Sequence, residues 1–123
     1  MHSTGADGFE DTERALALTP EEARRYRVQP YIDNMGDMLA AADLVLSRSG
    51  ASSVAEIAAL AVPSVLVPYP HATADHQTTN ARAYVAAGCA EMIPDAEVGT
   101  DKFAQLVFSL VDDADLRARM TAA

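Results

Sequence analysis

Two short apolar runs with a helix-patterned segment between them constrain the fold of this chain most strongly. Residues 44–46 and 65–67 read Leu-Val-Leu and Val-Leu-Val, which is typical of strands buried on both faces. The apolar residues between them recur at the spacing of one helical face: Val54, Ile57, Ala58 and Ala61. Strand, helix and strand within residues 43–68 therefore predict a βαβ unit whose two strands run parallel.

The same alternation of helix and strand extends over the rest of the chain. Thr19, Pro20 and Glu22 predict the start of a helix with a capping box, and residues 2–5 resemble the end of a strand. Further strands are predicted at 28–32 and 89–93, and further helices at 35–42, at 78–87 before Gly88, from Thr100 onward, and near 114–120. The inward residues expected on the two longest of these helices are Ala81, Tyr84 and Val85, then Phe103, Leu106, Val107, Leu110 and Val111. The pattern indicates the α/β class.

Charge and composition exclude several classes of function. Nine basic against eighteen acidic residues give a net charge of −9, which argues against nonspecific binding to nucleic-acid phosphates. The single cysteine, Cys89, excludes an internal disulfide and a zinc site built from several cysteines, and it fits a reducing compartment. No apolar run approaches the roughly 20 residues of a membrane span, so no transmembrane segment is predicted. We expect an acidic, soluble protein of the cytoplasm.

Two loops follow the two predicted parallel strands, at the sheet edge where ligands of open α/β sheets bind. Residues 48–53 follow the first strand and residues 68–77 follow the second. In the first loop, Gly50 and Ala51 permit close approach of the backbone, and the free amides near Ser52 and Ser53 suit an anion such as a diphosphate. The same residues also fit an ordinary strand-to-helix turn capped by a serine.

Glu56 has two interpretations on sequence grounds. It stands opposite the apolar face of its helix, and Ser53-Val-Ala-Glu56 has the spacing of a capping box. Alternatively, its carboxylate accepts hydrogen bonds from the two hydroxyls of a ribose, as acidic residues do in nucleotide sites. Spacing alone favours the cap.

The second loop is long and polar for a connection in a compact domain, which hints at function. His71, Asp75 and His76 are possible metal ligands, but no helical register or supporting partner accompanies them, so no metal site is predicted. Gln77 and Asn80 carry amides suited to a neutral ligand such as a sugar.

Four segments, in order along the chain, carry a family resemblance. They read YIDNM at 31–35, AADLVLSRSGASSVAE at 41–56, PSVLVPYP at 63–70 and HQTTNA at 76–81. Together they resemble the carboxyl-terminal domain of the MurG family, over about residues 2–120. That family transfers N-acetylglucosamine from its UDP derivative to undecaprenyl-pyrophosphoryl-muramoyl-pentapeptide, which makes lipid II for bacterial peptidoglycan. The R-S-G-A-x-x-x-x-E element alone marks the wider group of GT-B glycosyltransferases.

The resemblance implies a binding site for UDP-N-acetylglucosamine and a role for each of its residues. Uracil would lie at the backbone of Ile32 near Met35, the phosphates at Ala51, Ser52 and Ser53, the ribose at Glu56, and the sugar at His76 and Gln77. It implies no catalytic residue, metal or cofactor on this chain, because helix dipoles and amides stabilise the departing diphosphate.

The resemblance also implies a Rossmann-like parallel sheet with flanking helices. Residues 1–123 would form one partial carboxyl-terminal GT-B domain, truncated at both ends and inactive alone. The lipid-linked acceptor, the catalytic base and the membrane-associating patch would belong to an amino-terminal domain, and full-length members would lie on the inner face of the plasma membrane. Two alternatives stay open: a noncatalytic nucleotide-sugar-binding or regulatory module of GT-B ancestry, and a GT-B enzyme with another lipid or small-molecule acceptor.

Overall fold

The computed structural model describes residues 1–71 and 76–123. The chain divides into two compact units, residues 1–35 and 36–123. The helices and strands of the first unit are β1 (His2–Ser3), α1 (Phe9–Leu16), α2 (Pro20–Arg25) and β2 (Val28–Gln29), and α3 (Met35–Ala41) begins at its last residue. The second unit contains β3 (Val45–Ser47), α4 (Ala51–Ala59), β4 (Ser64–Leu66), α5 (His76–Ala86), β5 (Ala90–Met92), a 3-10 turn (Asp95–Glu97), α6 (Asp101–Asp112) and α7 (Ala114–Ala122).

The first unit has a short parallel ladder in which β1 pairs with β2. His2 stands opposite Val28 in this ladder, so the expectation of a strand end at the start of the chain is confirmed. Thr19 and Glu22 form the predicted capping box at the start of α2, where the Glu22 amide donates to Thr19 Oγ1 and the Thr19 amide donates to Glu22 Oε2. Helix α1 was not predicted, because none of its residues is buried and half of them are charged.

The second unit is built on a three-stranded parallel sheet of order β3-β4-β5. The central strand alternates between two apolar layers: Leu66 packs with one layer and Val65 with the other. The first layer contains Leu39, Val54, Ile57, Val62, Ala81 and Ala90, and the second contains Val67, Ile93, Leu110 and Met120. Helices α3, α4 and α5 contribute to the first layer and α6 and α7 to the second, so the central strand is covered on both faces. The predicted α/β class with flanking helices is confirmed.

The predicted end of α5 is correct, whereas several residues that were predicted to face the core are exposed. At the end of α5, Gly88 has φ +85° and the Cys89 amide reaches back to Tyr84 O at 3.2 Å, so the predicted stop is confirmed. Ala61 lies beyond the end of α4 at φ +52° and is exposed, as is Ala58, so only Val54 and Ile57 of the predicted face are buried. Two further residues predicted to face inward, Val85 and Val111, are exposed as well.

No helix among the described residues is both long enough and apolar enough to cross a bilayer.

Candidate functional site

The loops that follow β3 and β4 lie side by side at the carboxyl edge of the sheet. Because β3 and β4 are parallel, with Ser47 opposite Leu66, both loops leave the sheet at the same edge. Direct contacts join them: Ser49 Oγ donates to Gln77 O over 2.7 Å, and Asn80 Nδ2 donates to Ser49 O over 3.0 Å. The shared edge predicted from the sequence is therefore confirmed.

Ser49 is the buried link between the two loops. It is fully buried, and a buried hydroxyl needs a hydrogen-bond partner to offset the loss of water. The Gln77 carbonyl meets that need, and the Asn80 amide satisfies the Ser49 carbonyl in turn. The first turn of α5 is thereby fixed against the start of α4. The Asn80 side chain serves this internal contact.

The side-chain amide of Gln77 is oriented by the loop after β4. Its Oε1 accepts a hydrogen bond from the Tyr69 amide at 2.9 Å, which assigns the oxygen to that side. Its Nε2 lies beside Gly50, where a Cβ would stand 3.7 Å away. Nε2 has no partner among the described residues, so its two N–H groups are available to an acceptor oxygen near the start of α4.

Helix α4 begins three residues earlier than a cap at Ser53 would require. Gly50 is its N-cap, and no side chain caps it. Ser53 therefore lies inside the first turn, and the predicted capping box with Glu56 is wrong. Val54 makes the first backbone bond, to Gly50 O at 3.0 Å, so the amides of Ala51, Ser52 and Ser53 have no intrahelical acceptor. These amides and the positive end of the helix dipole suit an anion.

Glu56 lies on the exposed side of α4, opposite buried Val54 and Ile57. Its carboxylate makes no hydrogen bond or ion pair with any described residue. Five residues after Ala51, it stands about 7.5 Å further along the helix axis. A nucleotide whose phosphates bind at the start of α4 is long enough for its ribose to reach the Glu56 carboxylate.

The other predicted residues fall outside this cluster of contacts. Ile32 is half-buried and Met35 is exposed, and both belong to the first compact unit. His76 is exposed at the first position of α5. Their ligand roles stay predictions.

Three residues were considered as metal ligands from the sequence: His71, Asp75 and His76. Among residues 1–71 and 76–123, no group of three His, Cys, Asp or Glu side chains is placed to hold a metal ion. Asp75 lies outside the described residues. His71 packs edge-on against the Tyr69 ring, with 5.5 Å between the ring centres.

Arg48 is a structural member of this edge that the sequence analysis did not single out. Its Nη1 lies 2.6 Å from Asp95 Oδ1, after β5, and also reaches backbone carbonyls at the end of β4. The sequence could have indicated this role, because Arg48 directly follows a strand and is one of only two Lys or Arg residues between 38 and 90.

Comparison with protein families gives a match over the whole chain. Residues 1–123 match the family described as "Glycosyltransferase family 28 C-terminal domain". The chain is also 30% identical to Acinetobacter baumannii MurG, whose crystal structure it matches with a TM-score of 0.82 over 98% of this chain and 36% of that one. A glycotransferase of kitacinnamycin, at 20% identity and a TM-score of 0.67, shares the fold over 98% of this chain and 34% of that one.

Curated relatives carry one name, UDP-N-acetylglucosamine–N-acetylmuramyl-(pentapeptide) pyrophosphoryl-undecaprenol N-acetylglucosamine transferase. The chain is 42% identical over 118 residues to the protein of Carboxydothermus hydrogenoformans, covering 96% of this chain and 31% of the relative. It is 47% identical over 116 residues to the protein of Chlorobium phaeobacteroides, covering 94% of this chain and 32% of the relative. The chain thus spans about a third of the length of these relatives.

Proposed function

The chain belongs to the family of glycosyltransferase family 28 C-terminal domains, and from that membership we propose that it is the donor-binding part of an N-acetylglucosaminyltransferase. The donor is UDP-N-acetylglucosamine, and the longer protein transfers its sugar to the lipid-linked muramoyl-pentapeptide named in the relatives, with inversion at the anomeric carbon. Residues 1–123 act as one carboxyl-terminal GT-B domain in this proposal. The acceptor and the catalytic base belong to an amino-terminal domain at the inner face of the plasma membrane.

One observation carries the proposal: Gln77 Nε2, which has no hydrogen-bond partner among the described residues, lies beside Gly50, the N-cap of α4. A nucleoside diphosphate sugar requires two kinds of recognition close together, one for the phosphates and one for the sugar hydroxyls. The uncapped amides of α4 supply the first and the Gln77 amide supplies the second.

The chemistry of the donor half follows from this arrangement. The amides of Ala51, Ser52 and Ser53 hold the diphosphate, and the charge that builds up on it as the sugar departs is stabilised by the same amides and by the helix dipole. The Glu56 carboxylate accepts hydrogen bonds from the ribose hydroxyls, and His76 joins Gln77 at the sugar. The uracil contacts at Ile32 and Met35 complete the proposal.

Calorimetric titration of the 123-residue chain with UDP-N-acetylglucosamine and with UDP tests the proposal. We expect Glu56→Gln to weaken both ligands by about tenfold or more, because a charge-assisted hydrogen bond to the ribose is lost. Gln77→Ala should weaken the sugar nucleotide more than UDP, since this proposal assigns the amide to the sugar and the phosphates to the amides of α4. The matched control is Glu91→Gln, which removes the same charge from an exposed position on β5.

Two results contradict the proposal. The wild-type chain could fail to bind either nucleotide at millimolar concentration, or Glu56→Gln could bind as tightly as the Glu91→Gln control. Binding with no transfer by the longer protein would favour a noncatalytic module, and transfer to another acceptor would favour the remaining alternative.

A further inference from the structure

We propose that Asp95 is a positioning residue for the donor sugar and that it acts through Arg48. The inference rests on the proposed function, because it concerns the placement of Gln77 against the sugar. Asp95 itself lies on the 3-10 turn after β5 and is not among the residues assigned to the ligand.

The Arg48 guanidinium joins the carboxyl ends of all three strands of the sheet. Arg48 directly follows β3, and its Nη1 lies 3.4 Å from Val67 O and 3.4 Å from Pro68 O at the end of β4. The same nitrogen lies 2.6 Å from Asp95 Oδ1, beyond β5. One side chain therefore holds together three segments that are distant in the sequence.

Asp95 is the partner that keeps the guanidinium in this place. Nη1 carries two N–H groups and has three acceptors, and the two carbonyl contacts are long for hydrogen bonds. The contact with Asp95 is much shorter and joins opposite charges, which makes it the strongest of the three. Without this carboxylate, an arginine that is about half exposed is free to move into solvent.

The segment held by Arg48 is the one that orients Gln77. Besides the Pro68 carbonyl, the guanidinium carbon stands 5.5 Å from the centre of the Tyr69 ring, within cation–π range. The Tyr69 amide is the donor that fixes Gln77 Oε1. The contacts run from Asp95 to Arg48, from Arg48 to Pro68 and Tyr69, and from Tyr69 to Gln77. Glu56, on α4, takes no part in them.

This series of contacts predicts that loss of Asp95 weakens binding of the sugar selectively. Loss of Asp95 should loosen Tyr69 and Gln77, and so weaken recognition of the sugar, while the diphosphate and ribose contacts on α4 are kept. A carboxylate that merely stabilised the fold would weaken UDP and UDP-N-acetylglucosamine equally.

The experiment compares Asp95→Ala, Asp95→Glu and a control, Glu97→Gln, in the 123-residue chain. Glu97 is two residues away on the same turn and pairs with Lys102 rather than with Arg48, so this control removes the same charge from the same surface. Two quantities are measured: the Kd values for UDP and for UDP-N-acetylglucosamine by calorimetry, and the hydrogen exchange of the Tyr69 amide by NMR.

We expect Asp95→Ala to raise the Kd for UDP-N-acetylglucosamine about three- to tenfold and to change the Kd for UDP less than about twofold. The Tyr69 amide should exchange faster in this variant, and Asp95→Glu should restore part of both effects. Glu97→Gln should behave as the wild-type chain.

Equal weakening of both ligands, or unchanged selectivity and unchanged Tyr69 exchange in Asp95→Ala, overturns this inference alone. A wild-type chain that binds neither nucleotide overturns the proposed function, and the inference with it. The two failures are therefore distinguishable by the behaviour of the wild-type chain.

Discussion

At the scale of single residues, the candidate site depends on small polar groups that each have one defined partner. Ser49 is buried because its hydroxyl and its carbonyl are both satisfied across the two loops, by Gln77 and Asn80 respectively. Gln77 is oriented because its oxygen accepts a hydrogen bond from the Tyr69 amide, and its Nε2 has no partner among the described residues. These contacts within the chain hold the proposed binding edge in place, and a preorganised site lowers the entropic cost of binding.

Ser49→Ala should lower the free energy of unfolding by about 1–2 kcal/mol, because the Gln77 carbonyl loses a buried donor. Ser109→Ala is the control, since the exposed Ser109 hydroxyl only returns to Leu106 O in its own helix and alanine is favoured there. Urea unfolding of the two variants measures the difference. Equal midpoints for Ser49→Ala and Ser109→Ala would contradict the role assigned to the buried hydroxyl.

Residue types were easier to predict than residue partners. The polar residues of both loops could be recognised from the sequence, since their hydroxyls and amides suit a polar ligand and they stand at the ends of two predicted strands. The capping box at Ser53 and Glu56 was wrong, because the N-cap is set by the backbone at Gly50, and glycine has no side chain to reveal it. The link from Arg48 to Asp95 joins positions 47 residues apart, which no local pattern encodes.

At the scale of elements, α4 connects the core to the ligand edge. Its buried residues, Val54 and Ile57, fix it against the sheet, while its uncapped start faces the second loop. The helix ends at Ala59, and Ala61, two residues beyond it, has a φ of +52°, which is unusual for a residue other than glycine. The Val62 amide donates to Ile57 O at 3.2 Å, which is the closing bond of a Schellman motif.

Ala61→Gly should raise the free energy of unfolding by about 0.5–1 kcal/mol, because glycine adopts this left-handed conformation without steric cost. The matched control is Ala55→Gly, an exposed position inside the same helix, where glycine should cost about 1 kcal/mol. Thermal or urea unfolding gives both values. If the two substitutions shift stability in the same direction, the strain assigned to Ala61 is absent.

Elements with a strong apolar period were the most predictable. The strands at β3, β4 and β5 lie within one residue of their predicted cores, and α6 begins at its Thr100 cap, with the Phe103 amide donating to Thr100 Oγ1. Helix α1 was missed because only three of its eight residues are apolar, Phe9, Ala15 and Leu16, and none of the eight is buried. The extra inward positions predicted for α4, α5 and α6 are exposed, and each lies near or just beyond the end of its helix.

At the scale of the molecule, the family match covers all 123 residues, although the relatives are about three times as long. The residues assigned to the donor fall in both compact units: Ile32 and Met35 in the first, and Ala51, Ser52, Ser53, Glu56, His76 and Gln77 in the second. The net charge of −9 means that an anionic ligand is opposed by the overall charge and must be attracted locally. In the proposed site, the uncapped start of α4 and the neutral amide of Gln77 would provide that local attraction.

A crystal structure of the chain soaked with UDP-N-acetylglucosamine tests the central claim most directly. We expect the diphosphate within hydrogen-bond distance of the Ser52 and Ser53 amides and a sugar oxygen within hydrogen-bond distance of Gln77 Nε2. A diphosphate bound away from the start of α4, or a sugar whose oxygens avoid Gln77, would contradict the account.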